Sequence, residues 1–185
     1  MSDITQLILD DHETFRREFA ALDDAKEPQQ LREIWEPLAA LLEVHAAAEE
    51  AIFYPKLLRR GDNAEDETLD AIGDHNDIRD GVRAADRHPI GAPQWWEGVR
   101  QARTANSSHM AEEEDDALPD FRRNTPLSVR VDLGHQFLKF KTDHSDARDL
   151  DTSDKDPQEY VRAVQAETSA DGGNGSLGIG SLKGP

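Results

Sequence analysis

The sequence predicts an all-α fold: an up-down-up-down antiparallel four-helix bundle with an additional C-terminal helix. Three observations lead there. Apolar residues recur every three or four positions in four long segments, breaker-rich connections separate the segments, and no segment alternates with period two as a half-buried strand would. The first segment carries Ile4, Ile8, Phe15, Phe19 and Leu22; the second carries Leu31, Ile34, Leu38, Leu41, Ala48 and Ile52. The third runs through Leu69, Ile72, Ile78, Val82 and Ala85, and the fourth through Trp95, Val99, Ala102, Ala117 and Phe121. Breakers fall at Lys26-Glu27-Pro28, at Gly61-Asp62-Asn63 and between His88 and Pro93. Connections this short make consecutive helices antiparallel neighbours. A fifth helix is predicted from Thr125-Pro126, a cap followed by proline in the first turn, to about Asp143, with Val129, Leu133, Phe137 and Phe140 on its packing face. The expected division is a bundle over 1–124, the added helix packed on it over 125–150, and a polar, Gly/Ser-rich flexible tail over 151–185, with one short helix near Tyr160.

Composition narrows the function. The 185 residues include 39 acidic and 21 basic side chains, for a net charge of −18. Phosphate recognition needs a basic face, so nucleic acid is excluded as an expected partner, and an anionic membrane surface is disfavoured on the same ground. With no cysteine, disulfides, thiolate metal sites, iron–sulfur clusters and cysteine nucleophiles drop out. The N-terminal residues lack a basic region followed by an apolar run, and no stretch approaches the roughly 18 apolar residues needed to span a bilayer. The expected setting is cytoplasmic.

An internal repeat carries the chemistry. Asp11-His12 recurs as Asp74-His75, and His45-x3-Glu49-Glu50 with Pro55 beyond it recurs as His109-x3-Glu113-Glu114 with Pro119 beyond it. Each polar group fills a gap in an apolar stripe: Ile8–His12–Phe15, Leu41–His45–Glu49–Ile52, Ile72–His75–Ile78 and Ala102–Asn106–His109–Glu113–Ala117. Residues four apart share a helix face, so each His-x3-Glu pair can converge on one point. Counting from the loop centres at about 1.5 Å per residue, the six groups differ in height by no more than roughly 5 Å. His12, His45, Glu49, His75, His109 and Glu113 therefore form one layer.

Four imidazoles and two carboxylates buried without partners would cost on the order of 1–3 kcal/mol each. That sum rivals the roughly 5–15 kcal/mol that holds a domain together. A mutual His–Glu network is the weaker solution; cations that keep the carboxylates ionised and the imidazoles neutral satisfy all six groups. Six ligands exceed what one ion needs, so two ions are expected, and imidazole with carboxylate suits iron, manganese or zinc.

This pattern resembles the hemerythrin-like, or HHE cation-binding, domain over roughly residues 3–124. The resemblance implies a four-helix bundle holding two iron ions, oxo- or hydroxo-bridged, with manganese or zinc ranking behind iron. It further implies Glu49 and Glu113 as bridging carboxylates and the four histidines as terminal ligands. Oxygen-carrying members have a fifth histidine where this chain has Arg79, one turn after His75, and place the fourth-helix carboxylate five residues after its histidine. Here Glu113 and Glu114 both follow His109, and a five-residue step lies about 140° around the helix, which favours Glu113. The symmetric pattern is more similar to bacterial hemerythrin-like proteins associated with peroxide, nitric oxide or iron handling. The implied function is reaction with a small oxidant, peroxide decomposition foremost and nitric oxide or dioxygen behind it, as a catalase-like or peroxidase-like di-iron oxidoreductase tied to oxidative stress. The alternative is a non-enzymatic module that binds or senses dioxygen, nitric oxide or iron.

Residues beyond the six are expected around the centre. Glu50 and Glu114 are read as supporting groups. Tyr54 lies about 180° from His45 on a regular helix and reaches the centre only if the turn before Pro55 is distorted. Arg79 is expected to extend toward solvent or an acidic neighbour, and Asp11 and Asp74 to point off the core face. No protein partner is indicated by any motif.

Overall fold

A computed structural model describes residues 2–172, and the part of the expected tail from 173 to 185 lies outside the described residues. Helix α1 (Ile4–Asp24) starts where the Asp3 carboxylate accepts a 3.0 Å bond from the Thr5 backbone N–H. Helix α2 (Pro28–Ala48) places proline in its first turn, and the Gln30 side chain reaches back so that its Oε1 accepts from the Glu27 N–H at 3.3 Å. Pro37 sits within α2 without ending it. A π-helical turn, Glu49–Phe53, joins α2 to α3 (Tyr54–Arg60). Helix α4 (Ala64–Asp86) returns, and α5 (Pro93–Glu112) continues through a second π turn, Glu113–Ala117, into α6 (Leu118–Asn124). The four rods of the bundle are thus α1, α2–α3, α4 and α5–α6. Among the described residues there is no strand, and no helix is long and apolar enough to cross a membrane.

The two π turns occupy equivalent places in the repeat and share a cause. Proline inside a helix loses one N–H and its ring clashes with the carbonyl four residues back. Pro55 and Pro119 would meet the carbonyls of Ala51 and Asp115, which both lie in the widened turns. Each turn instead closes five residues back, Tyr54 N–H on the Glu49 carbonyl and Leu118 N–H on that of Glu113.

Two apolar clusters fill the bundle. One is built on Ile4, Ile8, Ile52, Leu57, Ile72 and Phe121; the other on Phe15, Leu22, Trp35, Leu38, Val82 and Trp95. The His/Glu layer lies between them, where the stripes pass from one cluster to the other. Helices α4 and α5 approach most closely: a Cβ on Gly81 would sit 2.3 Å from the Ala102 backbone nitrogen, and one on Gly98 2.2 Å from that of Ala85. Only glycine permits this contact, which brings the His75 and His109 rods together.

Beyond the bundle, α7 (Leu127–Asp143) packs on α1 and α2 through buried Leu133 and Phe137. It starts one residue later than the Thr125 cap predicts: Pro126 is the cap residue, and no side chain caps the helix. A helix stands near Tyr160 as expected, and it takes up most of the described part of the segment read as a flexible tail. Residues Pro157–Gly172 form α8, a sixteen-residue helix packed against α4 and α3 with Val161 and Val164 buried. Its apolar stripe, Tyr160, Val161 and Val164, is short and set among polar residues, so the sequence marks a helix near Tyr160 but understates its length.

Candidate metal centre

The structure brings the six repeat residues together in one buried layer. Donor atoms of His12, His45, Glu49 and Glu113 lie within 4.8 Å of one another, and so do those of Glu49, His75 and His109. Glu49 belongs to both groups. Its Oε1 is 3.0 Å from His45 Nε2, while its Oε2 is 3.3 Å from His75 Nε2 and 3.7 Å from His109 Nε2. Glu113 Oε2 spans the layer similarly, 3.3 Å from His12 Nε2 and 3.6 Å from His109 Nε2. Each carboxylate therefore faces histidines of both hairpins.

Each histidine turns its other ring nitrogen outward, toward a carboxylate on a different rod. His12 Nδ1 meets Glu114 at 2.8 Å and His75 Nδ1 meets Glu50 at 2.9 Å. His45 Nδ1 meets Asp11 at 3.0 Å, and His109 Nδ1 lies 3.7 Å from Asp74. At His12, His45 and His75, where the carboxylate is within hydrogen-bond distance, it fixes the N–H at Nδ1 and leaves the Nε2 lone pair facing inward, the arrangement a metal-binding imidazole needs. Asp11 and Asp74 do not point off the core as expected. One residue before an inward histidine lies 100° around the helix, which in this packing is the flank facing the next rod.

Arg79 is 1% exposed, with Nη2 2.8 Å from Glu50 Oε1 and Nε 3.3 Å from Glu43. It stays buried because two carboxylates compensate its charge, and it sits behind the Glu50–His75 pair. Tyr54 does reach the centre. The π turn rotates it inward, and its hydroxyl donates a 2.6 Å hydrogen bond to Glu113 Oε1. The repeat-equivalent residue is Leu118, so the second half of the repeat offers no matching phenol.

Three supporting carboxylates carry cations of their own. Arg16 binds Glu114 at 2.7 Å, Lys141 of α7 binds Asp11, and Lys155, just before α8, joins Arg79 on Glu50. No sequence motif marks Lys141, Lys155 or Arg16. The doubled Asp-His dipeptide was a legible signal for Asp11 and Asp74.

These contacts displace the ionisations of the metal-free chain. Burial opposes a charged His45, but Glu49 and Asp11 raise it to about 9. Burial likewise opposes the Glu49 anion, yet the imidazoles of His45, His109 and His75 hold it well below the ordinary carboxylate range. Glu50 overcomes its burial through His75, Arg79 and Lys155 and is lowered to about 2. Burial and the Glu113 and Glu49 carboxylates raise the Tyr54 phenol well above its ordinary value.

The donor set fits a cation. His12 Nε2, His45 Nε2, both Glu49 oxygens and Glu113 Oε2 are buried with no hydrogen-bond partner, and all face the same layer. Atoms of this kind are rarely left unpaired in a native interior. The fold and this layer define a helical cation-binding module.

The family model of the hemerythrin HHE cation-binding domain matches residues 3–121, and the chain belongs to that family. No curated relative and no solved structure matches it.

Proposed function

We propose that the chain is a non-haem di-iron protein whose centre reacts with a small oxidant, peroxide decomposition first among the candidates. The observation that carries the reading is the sharing of Glu49 between two donor groups, with four histidines and a second spanning carboxylate around it. His12, His45, His75, His109, Glu49 and Glu113 would hold the ions, iron before manganese or zinc. When bound, such a pair supplies electron exchange with the oxidant by cycling between ferrous and ferric states.

The protein's own part is to orient, insulate and hold protons. Asp11, Glu50 and Glu114 hold the imidazoles of His45, His75 and His12 by hydrogen bonds, and Asp74 faces that of His109. The apolar clusters on either side keep bulk water from the layer. Tyr54 keeps its proton on the hydroxyl and points it at Glu113 Oε1, which leaves Oε2 free to face the histidines. Arg79 stands where a fifth imidazole would otherwise stand, and its engagement with Glu43 and Glu50 keeps it from acting as a ligand.

Binding or sensing of dioxygen, nitric oxide or iron without turnover is the second reading. It draws on Lys141 and Lys155, which lie beyond the family match yet touch Asp11 and Glu50, so α7 and α8 are coupled to the centre. We place either activity in the cytoplasm.

Metal analysis and peroxide turnover on the iron-loaded protein separate the readings. About two irons per chain with many turnovers supports the oxidoreductase. Two irons with binding and no turnover supports the sensor, and one iron or none at neutral pH overturns the paired centre.

A further inference from the structure

A cavity of about 300 Å³ opens between α4 and α5 and ends on the centre. Its outer wall carries Asp66, Glu67, Asp70, Glu112 and Asp116; its innermost lining residues are His109 and Glu113. No lysine or arginine is among the lining residues. Glu113 is 2% exposed, and the oxygen it leaves without a hydrogen bond is one of the atoms that face the donor layer.

The charge on this side differs from that on the others. Glu114, Asp11 and Glu50 each carry a basic side chain behind their histidine. Asp74, behind His109, does not: its Oδ2 is buried without a hydrogen-bond partner. Asp74, Asp70, Asp77 and Glu112 also line an adjoining cleft. Three approaches to the layer are thus neutralised, and the fourth remains acidic from the surface to the donors. The crowding is felt at Glu67, raised to about 7 by burial and by the nearby Asp120 and Asp116 carboxylates against the opposing charge of Arg123.

We infer that this acid-walled cavity is the entry port for divalent cations, which it concentrates and passes to Glu113 and His109. A groove of one charge sign raises the local concentration of the opposite ion and its rate of capture. The wall carboxylates do not form a compact donor group of their own, since the described donor clusters are those of the central layer. They therefore guide an ion without retaining it. This inference rests on the reading of the layer as a metal centre.

The test is cobalt(II) uptake by the metal-free full-length chain, followed by visible absorbance after rapid mixing. In Asp70→Asn/Asp116→Asn the bimolecular rate should fall on the order of tenfold, with an unchanged final cobalt content. Glu67→Gln should slow uptake in the same direction. A control, Asp24→Asn/Glu33→Gln, removes the same charge from exposed positions at the α1–α2 end of the bundle and should leave the rate within twofold. Added salt should slow the wild type more than the port variant. Equal rates in the port variant and wild type, or equal slowing in the control, would overturn the port. A reduced final content at an unchanged rate would overturn it too, because the acids would then be resident ligands. Failure of the wild type to take up cobalt or iron would overturn the metal centre itself, and the port with it.

Discussion

Asp11 and His45 lie 34 residues apart in the chain and 3.0 Å apart in space, the carboxylate of one helix bonded to the outward ring nitrogen of the next. Lys141 donates to both oxygens of Asp11 and neutralises it. Replacing Asp11 by Asn should lower metal affinity by about 10–100-fold, as loss of a carboxylate behind a ligating histidine does. Chelator competition on loaded wild type and variant measures this. Equal affinities would mean that Asp11 does not position His45 for a metal.

Tyr54→Phe should remove the donor to Glu113 Oε1 and leave that oxygen buried without a partner. The expected loss is about 1–3 kcal/mol in the metal-free protein, read from denaturant midpoints. Loading should recover part of this loss, because a cation compensates the exposed oxygen. A variant as stable as wild type would show that water or another group replaces the phenol.

Proton binding at His45 predicts an alkaline loss of stability in the metal-free protein. The group is raised from 6.5 to about 9 in the folded chain, so its contribution is fully present below about 6.5 and is lost as pH rises through about 9. Glu49 acts in the opposite sense: held below 4.5, it stabilises above that value and the benefit disappears as pH falls. Melting temperature without metal should therefore peak on the mildly acidic side of neutrality. A loaded centre needs His45 deprotonated, so its melting temperature should not show the decline between 6.5 and 9. Parallel pH profiles for the two forms would contradict this assignment.

Gly81→Ala or Gly98→Ala should push α4 and α5 apart, because the new methyl meets backbone atoms. Overpacking of this kind costs about 1–3 kcal/mol. The displacement would also disturb His75 and His109, whose Nε2 atoms are 3.2 Å apart. Thermal melts and metal content should fall together; a lower melting temperature with full metal content would show that the layer tolerates the shift.

Much of this was written in the chain. The doubled His-x3-Glu and Asp-His motifs sit on apolar stripes of period 3.6, which determined that six histidine and glutamate side chains face inward from four helices at one depth in the bundle. What periodicity describes is direction around a helix's own axis. It does not say which neighbour occupies a flank, so Asp11 and Asp74 read as outward although they face the next rod. The inward turn of Tyr54 depended on a widened turn that regular helical geometry does not contain. Lys141 and Lys155 reach the centre only because α7 and α8 fold back on the bundle, contacts between residues more than 100 positions apart in the chain. The sequence by itself thus determined that these six side chains share a layer. Tertiary packing decided which carboxylate backs which histidine, which of those carboxylates are neutralised, and which approach stays acidic, because each depends on the distance between side chains on separate helices.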